Sequence, residues 1–270
     1  MAYLKPGREH CLAARRDIDQ RGAWWLAWQR VQAGLREVFA RLPSTCPLCQ
    51  DPAYGGCLCV LCRQDVLASR LAFPCCERCG LCPAQASDCP DCIALVPAFE
   101  KVIAACDYAF PADQLIRQFK QQHRFQHSRA LAALIAQSLQ GAMPEWWGQA
   151  WLVPIPASRQ ALLRRGFNPA VELARGVQVH LGARVRTDIL LRSRETGAER
   201  VQKRLQRSQR LQAAGQAFVC RQNLAQAHIV LVDDVMTTGA TLHAAASVLR
   251  QAGAKTVWGV VAARTPYHVR

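Results

Sequence analysis

From residue 101 onward, short apolar runs bounded by polar turns alternate with stretches of helical periodicity. The apolar runs predict strands at Val102–Tyr108, Trp151–Ile155, Ile229–Val232 and Thr256–Ala262. The periodic stretches predict helices at Ala112–Gln121, Ser128–Leu139, Pro169–Leu181 and Ala240–Ala252. Strands that alternate with helices are typical of a mostly parallel sheet with helices on both faces. The sequence therefore predicts an α/β domain here.

The N-terminal residues 1–43 form an extension of different character. Within residues 23–41, apolar side chains recur at roughly helical spacing: Trp24, Trp28, Val31, Leu35, Val38 and Phe39. This pattern predicts an amphipathic helix that packs on the body of the protein, with docking on a partner or a membrane surface as the alternative. No stretch approaches the ~20 uninterrupted apolar residues of a membrane helix, and no signal-peptide pattern is present. We expect a soluble, cytoplasmic protein without stable membrane insertion.

A cysteine repeat follows the extension. Eleven of the 14 cysteines lie between residues 46 and 92. Each half of this segment has the spacing Cys-x2-Cys-x9-Cys-x2-Cys, and adding 30 to the positions of the first half gives those of the second. The repeating cysteines are Cys46, Cys49, Cys59 and Cys62, and then Cys76, Cys79, Cys89 and Cys92.

This spacing is typical of metal ligation. Two Cys-x-x-Cys pairs complete a tetrahedral shell of four sulfurs, which favours zinc over an iron–sulfur cluster. Because the cytosol keeps thiols reduced, a disulfide framework is not expected. The segment is predicted to hold two structural Zn²⁺ ions, with the cysteine pairs closing either within each repeat or across the two. The cysteines outside the period are predicted not to bind metal: Cys11, Cys57, Cys75, Cys82, Cys106 and Cys220.

The 270-residue chain is strongly basic. Its 34 lysines and arginines against 19 acidic residues give a formal net charge of +15, and 29 of the 34 are arginines. A hydrophobic fraction of 51% excludes a disordered or fibrous chain. Such a charge attracts nucleic acid or a phosphorylated small molecule. A solvated arginine-rich surface is the alternative.

The candidate chemistry lies in residues 229–241. The strand Ile229–Val232 ends in two carboxylates, Asp233 and Asp234. The turn and helix start that follow can wrap a phosphate with backbone amides and hydroxyls: Thr237, Thr238, Gly239, Ala240 and Thr241. Since a sugar diol can donate hydrogen bonds to the carboxylates, ribose 5-phosphate satisfies both halves of the motif. The alternative is a solvated Asp-Asp turn with threonines that cap a helix.

This segment resembles the signature of type I phosphoribosyltransferases that binds 5-phosphoribosyl 1-pyrophosphate (PRPP). Further similarities lie in Val153–Pro156, Phe119–Lys120 and Arg165–Asn168. Zinc ribbons followed by such a domain resemble the ComF/GntX family of competence proteins over about residues 44–264. The resemblance implies an N-terminal extension at 1–43, a double zinc ribbon at 44–97 and a type I phosphoribosyltransferase-like domain at 98–270.

The resemblance also implies roles for individual residues. Asp233 and Asp234 would hold the ribose hydroxyls of PRPP, and residues 237–241 its 5-phosphate. The turn Pro156–Arg159, with Ser158 and Arg159, would face the pyrophosphate, while Mg²⁺ would bind mainly to PRPP itself. The basic segment Arg192–Arg210 would close over the site.

Two positions depart from the family pattern. Gln160 stands where an arginine follows the position of Arg159, and Ala213–Phe218 lacks the Arg-Asn step that ends the basic segment. The ribose and phosphate contacts match the family, whereas the pyrophosphate and loop contacts differ. We therefore expect PRPP binding and leave turnover and the catalytic residues unassigned.

The function implied by the resemblance is DNA uptake. The protein is expected to handle single-stranded DNA in natural transformation, with proteins of the DNA-uptake machinery as partners, or in the use of DNA as a nutrient. Two alternatives remain open here. One is a nucleobase phosphoribosyltransferase of salvage, and the other is a PRPP-sensing regulator without turnover.

Overall fold

The computed structural model of the protein describes residues 38–72, 74–82, 89–94, 96–121, 127–193 and 217–266. The chain divides into two units, Met1–Pro43 and Ser44–Arg270. Most of the amphipathic helix predicted within residues 23–41 lies outside the described residues. None of the helices in the described ranges is long and apolar enough to cross a membrane.

The cysteine-rich segment is a structural repeat. In its first half, β1 (Pro43–Thr45) and β2 (Pro52–Tyr54) form a two-stranded sheet before helix α1 (Val60–Ala72). The second half ends in the short helix α2 (Pro90–Ala94).

Both halves contain the same turn. The Cys46 amide donates to the Asp51 carbonyl at 2.8 Å, and the Cys76 amide donates to the Leu81 carbonyl at 2.9 Å. Left-handed residues occupy equivalent positions, with φ 67° at Gln50 and 65° at Gly80. The 30-residue sequence repeat is therefore also a repeat of backbone geometry.

The remainder alternates strands and helices, as predicted. The strands are β3 (Lys101–Asp107), β4 (Trp151–Pro154), β5 (Arg184–Val185), β6 (Leu191–Arg192), β7 (Phe218–Val219), β8 (His228–Met236) and β9 (Thr256–Arg264). The helices are α3 (Ala112–Gln121), α4 (His127–Leu139), α5 (Arg159–Arg165), α6 (Pro169–Leu181) and α7 (Ala240–Gln251), with a 3-10 helix at Glu145–Gln149.

The sheet that carries the candidate site is parallel throughout. Its strand order is β3-β9-β8-β4-β5, and every adjacent pair runs in the same direction. The predicted α/β class with a mostly parallel sheet is confirmed. In this arrangement the carboxyl ends of β8 and β4 are neighbours, so the loops that follow them meet at one edge of the sheet.

The two cysteine repeats pack against opposite faces of this sheet. On β8, Val230 and Val232 belong to one buried cluster, and Ile229 and Leu231 belong to the other. The apolar cluster on the first face includes residues of the first repeat: Cys46, Ala53, Leu58 and Val66. The apolar cluster on the opposite face includes residues of the second repeat: Cys79, Leu81 and Cys89. The cysteine-rich segment is thus part of the core of the α/β domain.

The second repeat also covers the edge of the sheet. Strand β3 lies at that edge, and its Val102 amide donates to the Arg78 carbonyl at 2.7 Å. Arg70 donates to the Gly80 carbonyl at 2.9 Å and pairs with Asp107 at 3.0 Å. The Val102 contact occupies a backbone amide that an exposed edge strand leaves open to pairing with another chain, and Arg70 ties the second repeat to the end of β3.

Candidate functional site

The repeating cysteines form two clusters. The first cluster is Cys46, Cys49, Cys59 and Cys62, and the second cluster is Cys76, Cys79, Cys89 and Cys92; within each, the ligand atoms all lie within 4.8 Å of one another. The pairs therefore close within each repeat, which the spacing had left open.

The sulfur separations within the clusters fit one metal ion each. The sulfurs of Cys49 and Cys59 are 3.6 Å apart, those of Cys79 and Cys89 are 3.4 Å apart, and those of Cys76 and Cys92 are 3.8 Å apart. Tetrahedral coordination with Zn–S bonds of about 2.3 Å places sulfurs about 3.8 Å apart. Each cluster can hold a metal ion in a closed four-sulfur shell, which leaves no ligand position for substrate.

One thiol in each cluster has a lowered pKa. Burial acts to raise the pKa of Cys46, but hydrogen bonds from the backbone of Cys49 and Cys59 lower it to about 7. The pKa of Cys76, the equivalent residue in the second cluster, is lowered in the same way against burial. Burial raises the pKa of Cys79 to about 12. Metal binding must therefore displace the proton of Cys79, as expected for a thiolate shell.

Cys75 and Cys82 are joined in a disulfide bond, with their Cα atoms 4.4 Å apart. The sequence predicted that they do not bind metal, but it did not predict that they pair. The turn from Cys76 to Leu81 folds back on itself and brings the flanking cysteines together. The disulfide therefore follows from the turn of the second repeat. Because Cys75 and Cys82 are not part of the 30-residue period, the period gives no indication that they pair.

The two carboxylates lie inside β8 and not after it. The strand was predicted to end at Val232, but it continues to Met236 because β9 is equally long, with Asp233 opposite Val261 and Met236 opposite Arg264. Asp233 accepts a hydrogen bond from the Asp234 amide at 2.9 Å. The Lys120 ammonium, on α3, pairs with the Asp234 carboxylate at 2.9 Å.

Asp233 has an unusual electrostatic environment. Burial and the adjacent Asp234 raise its pKa to about 7, and Lys120 and Arg165 act in the opposite direction. A carboxyl of this kind is only partly ionised near neutral pH. A ligand that donates hydrogen bonds to the ionised form therefore releases a proton when it binds.

The segment Thr237–Thr241, here called the phosphate loop, connects β8 to α7. The side chains of Thr237 and Thr238 are exposed, and Gly239 is buried with a left-handed φ of 79°. No side chain caps α7 at Gly239. The Ala240 amide makes only a long contact of 3.5 Å with the Thr238 hydroxyl. The amino-terminal end of α7 can therefore receive an anion, and the helix dipole favours negative charge there.

The second predicted binding turn follows β4. Ser158 is the N-cap of α5, and its hydroxyl accepts a hydrogen bond from the Ala161 amide at 3.1 Å. Arg159 is the first residue of α5 and is exposed. Because β4 pairs with β8, with Pro154 opposite Val232, this turn lies at the same edge of the sheet as Asp233.

Two segments quoted for the resemblance pack beneath the site. The rings of Phe119 and Phe167 lie 5.5 Å apart, and Asn168 donates to the Ile155 carbonyl at 2.9 Å. These segments carry Lys120, which pairs with Asp234, and Arg165, whose charge acts to lower the pKa of Asp233. Both residues lie in motifs of the sequence, Phe119–Lys120 and Arg165–Asn168, but neither was predicted to belong to the site. The available signal is that each lies next to, or two positions from, a buried aromatic residue.

The basic segment Arg192–Arg210 and the departure at Ala213–Phe218 lie mostly outside the described residues. The described residues at the start and at the end of this region are paired. Strands β6 and β7 are antiparallel, with Arg192 opposite Phe218. The Ser193 amide donates to the Ala217 carbonyl at 3.0 Å.

Comparisons with known proteins agree with this architecture. Residues 160–267 match the phosphoribosyl transferase domain family. Competence protein F of Haemophilus influenzae is 29% identical to this chain over 216 residues, covering 76% of this chain and 90% of that protein. DNA utilization protein YhgH of Salmonella typhimurium is 30% identical over 222 residues, covering 80% and 95%. The protein of the same name in Escherichia coli (strain K12) is 29% identical over 222 residues, with the same coverage.

The fold and the site together define a phosphoribosyl transferase domain joined to two cysteine clusters that can hold metal. The chain belongs to the ComF/GntX family.

Proposed function

We propose that this protein binds Mg²⁺–PRPP at the carboxyl edge of its parallel sheet and handles single-stranded DNA in the cytoplasm, in DNA uptake or in the use of DNA as a nutrient. One observation carries the PRPP assignment: two carboxylates and the phosphate loop lie next to each other where β8 leads into α7. Asp233 and Asp234 accept hydrogen bonds, and the phosphate loop beside them presents exposed threonine hydroxyls and the amino-terminal end of α7. A sugar phosphate with a free diol is complementary to both.

The remaining groups suit the rest of PRPP. The turn with Ser158 and Arg159 adjoins the carboxylates through the β4–β8 pairing, in the place that suits the pyrophosphate. Mg²⁺ prefers oxygen ligands and keeps several waters, so it would be held mainly by the phosphate oxygens of the ligand. Lys120 neutralises Asp234 in the free protein. This ion pair keeps a carboxylate positioned until the ribose hydroxyls bind.

The metal that we assign to both clusters is Zn²⁺. Four thiolates in a closed tetrahedron are the preferred ligands of structural zinc. The sulfur separations of 3.4–3.8 Å support one ion in each cluster. The role of both ions is structural, because the shells are complete and all the ligand cysteines except Cys49 belong to, or pack against, the buried apolar clusters on the two faces of the sheet.

The DNA assignment rests on similarity and charge. The relatives that cover most of this chain are named for competence and for DNA utilization. A formal net charge of +15 favours a polyanionic partner, and we propose proteins of a DNA-uptake machinery as further partners. Single-stranded DNA bound through phosphates is held by interactions that salt weakens steeply.

The direct test is titration of the metal-loaded protein with Mg²⁺–PRPP by calorimetry, followed by single-stranded oligonucleotides at several salt concentrations. We expect PRPP to bind, and DNA to bind without base preference and more weakly as salt increases. Release of pyrophosphate with one particular nucleobase would instead favour a salvage enzyme. A footprint on one duplex sequence would favour a PRPP-sensing regulator.

Replacing Gly239 with alanine should weaken PRPP binding by about tenfold or more. Gly239 has φ 79°, and an added Cβ would lie 2.6 Å from Cε of Met236. A left-handed non-glycine residue costs about 1–3 kcal/mol. The free loop can relieve this strain by leaving the left-handed conformation, so PRPP binding must restore it, and each 1.4 kcal/mol is about tenfold in affinity. The measurement is calorimetric titration of Gly239→Ala with Mg²⁺–PRPP.

Gly141→Ala is the matched control. Gly141 has φ 82°, and an added Cβ there has no heavy atom within 4 Å among the described residues. It lies in the turn that follows α4, so its substitution has a similar backbone cost without a change in the phosphate loop. Equal PRPP affinities for the two variants would contradict the assignment of the loop.

A further inference from the structure

A buried arginine joins the phosphate loop to the second cluster. Arg264 is the last residue of β9 and is 1% exposed. Its guanidinium donates to the carbonyls of Met236, at 3.3 Å, and Thr237. Its other terminal nitrogen pairs with the Asp91 carboxylate. A buried guanidinium requires such partners, because an unpaired buried charge is strongly unfavourable.

The carbonyls that Arg264 holds are those where β8 turns into the phosphate loop. The Thr265 amide donates to the Met236 carbonyl at 2.9 Å, so the same peptide group is fixed from two sides. Met236 is also the side chain nearest to Gly239. Displacement of Arg264 would therefore release the start of the loop while β8 and β9 remain paired.

Asp91 is not a metal ligand, but it lies between two ligands of the second cluster. It lies between the ligands Cys89 and Cys92 on α2, and the amides of Cys92 and Ile93 both donate to the Cys89 carbonyl at 3.0 Å. A metal ion that ties Cys89 to Cys92 therefore fixes the turn that presents Asp91. The equivalent residue of the first repeat is Leu61, which is 69% exposed. Only the second repeat carries a carboxylate at this position.

Two more contacts connect the exit of the second repeat to the loop and its helix. The Ala98 amide donates to Nδ1 of His243 at 3.1 Å, on the first turns of α7. The ring of Phe99 lies against Gly239, 3.8 Å from the position of an added Cβ. The segment that follows the second repeat thus contacts Gly239 in the phosphate loop and His243 in the helix after it.

We propose that Arg264 is a positioning residue that couples metal binding in the second cluster to the order of the phosphate loop, through Asp91. The first cluster has no equivalent coupling, because its repeat carries Leu61 in place of the aspartate. One consequence rests on the proposed function: metal in the second cluster should raise the affinity for PRPP. Since coupling between two binding sites is reciprocal, PRPP should raise the metal affinity of the second cluster by the same factor.

The first experiment measures amide hydrogen exchange in the peptide that covers residues 236–241, which requires no ligand. Asp91→Asn keeps the shape of the side chain but removes its charge. It should retain two metal ions and increase exchange in this peptide by about tenfold. Asp65→Asn is the matched control, since Asp65 is exposed on α1 of the first repeat. It should leave the exchange unchanged.

Arg264→Lys provides a second variant that leaves the sequence of the cluster intact. A lysine keeps the charge but cannot reach Asp91 and both carbonyls together, so loop exchange should again increase. Unchanged exchange in Asp91→Asn and in Arg264→Lys, with two metal ions still bound, would overturn the proposal.

Competition with a chelator then tests reciprocity. Saturating Mg²⁺–PRPP should raise the affinity of one of the two metal ions in the wild-type protein by about tenfold, and should have no such effect in Asp91→Asn. Equal metal affinity with and without PRPP, in a protein that binds PRPP, would overturn the coupling. If PRPP does not bind the wild-type protein, the proposed function fails. The coupling is then decided by amide exchange in residues 236–241 with and without chelator, which should increase on metal removal in the wild type and change little in Asp91→Asn.

Discussion

Cys62→Ser should reduce the bound metal from two ions per chain to one and lower the melting temperature by about 10 °C. Structural zinc supplies about 10–16 kcal/mol in isolated zinc-finger peptides. The folded α/β core replaces part of that contribution here. If about 3 kcal/mol is lost, a domain of this size melts about 6–12 °C lower. Metal analysis and thermal unfolding measure the two effects.

The structural reason for this effect is that the first cluster is continuous with the core. Cys46 is 1% exposed and belongs to the same buried cluster as Leu115 and Leu131 of α3 and α4. Loss of one ligand therefore loosens residues on which the helices pack. The loss of stability therefore affects the whole unit Ser44–Arg270 and not only the first repeat.

Cys57→Ser is the matched control for this prediction. Cys57 lies in the same repeat, between the two ligand pairs, but outside both clusters. The variant should keep two metal ions and a nearly unchanged melting temperature. A Cys62→Ser protein that still binds two ions would show that the four-sulfur shell is assigned wrongly.

Several elements could be predicted from sequence because their signals are local. Helix α6 has its predicted bounds, since Asn168 caps its start, Pro169 occupies its first turn and Gly182 ends it in a left-handed conformation. The metal clusters could be predicted because their ligands recur with a fixed spacing. Strands β3, β4 and β9 lie within two residues of their predicted bounds, because apolar runs mark buried parallel strands.

Other features depend on contacts between distant residues. Asp233 and Asp234 are polar, so hydrophobicity ends the strand before them; the pairing with β9 extends it to Met236. Lys120 is 114 positions from Asp234 in sequence, and Asp91 is 173 positions from Arg264. No sequence period or motif indicates that these distant residues form ion pairs. They arise because parallel strands bring loops from distant parts of the chain to one edge.

Replacing both Asp233 and Asp234 with asparagine should abolish measurable PRPP binding. Hydrogen bonds to an ionised carboxylate contribute about 1.5–3 kcal/mol each, so loss of two corresponds to at least about a 100-fold decrease in affinity. The substitution also removes the acceptor of the Lys120 ion pair and leaves that cation beside the ribose site. Calorimetric titration with Mg²⁺–PRPP measures the effect.

The Asp233→Asn half of this variant should not unfold the protein. Burial and Asp234 raise the pKa of Asp233, which means that the folded protein disfavours its ionised form. The unfavourable contribution of this ionisation grows as pH rises from the unfolded pKa near 4 to the folded value of about 7, and stays constant above it. Asp233→Asn removes it, so at pH 8 the single variant should melt at the wild-type temperature or higher.

A control with the same change in net charge separates the site from general electrostatics. Glu100 precedes β3 at the amino-terminal edge of the sheet, and Asp65 lies on the first cysteine repeat. The double variant Glu100→Gln/Asp65→Asn should bind PRPP within about twofold of wild type, as surface substitutions commonly do. If this control lost as much affinity as the Asp233 and Asp234 variant, charge alone would explain the binding. Retained PRPP affinity in Asp233→Asn/Asp234→Asn would place the ribose elsewhere, because no sugar diol could then depend on these carboxylates.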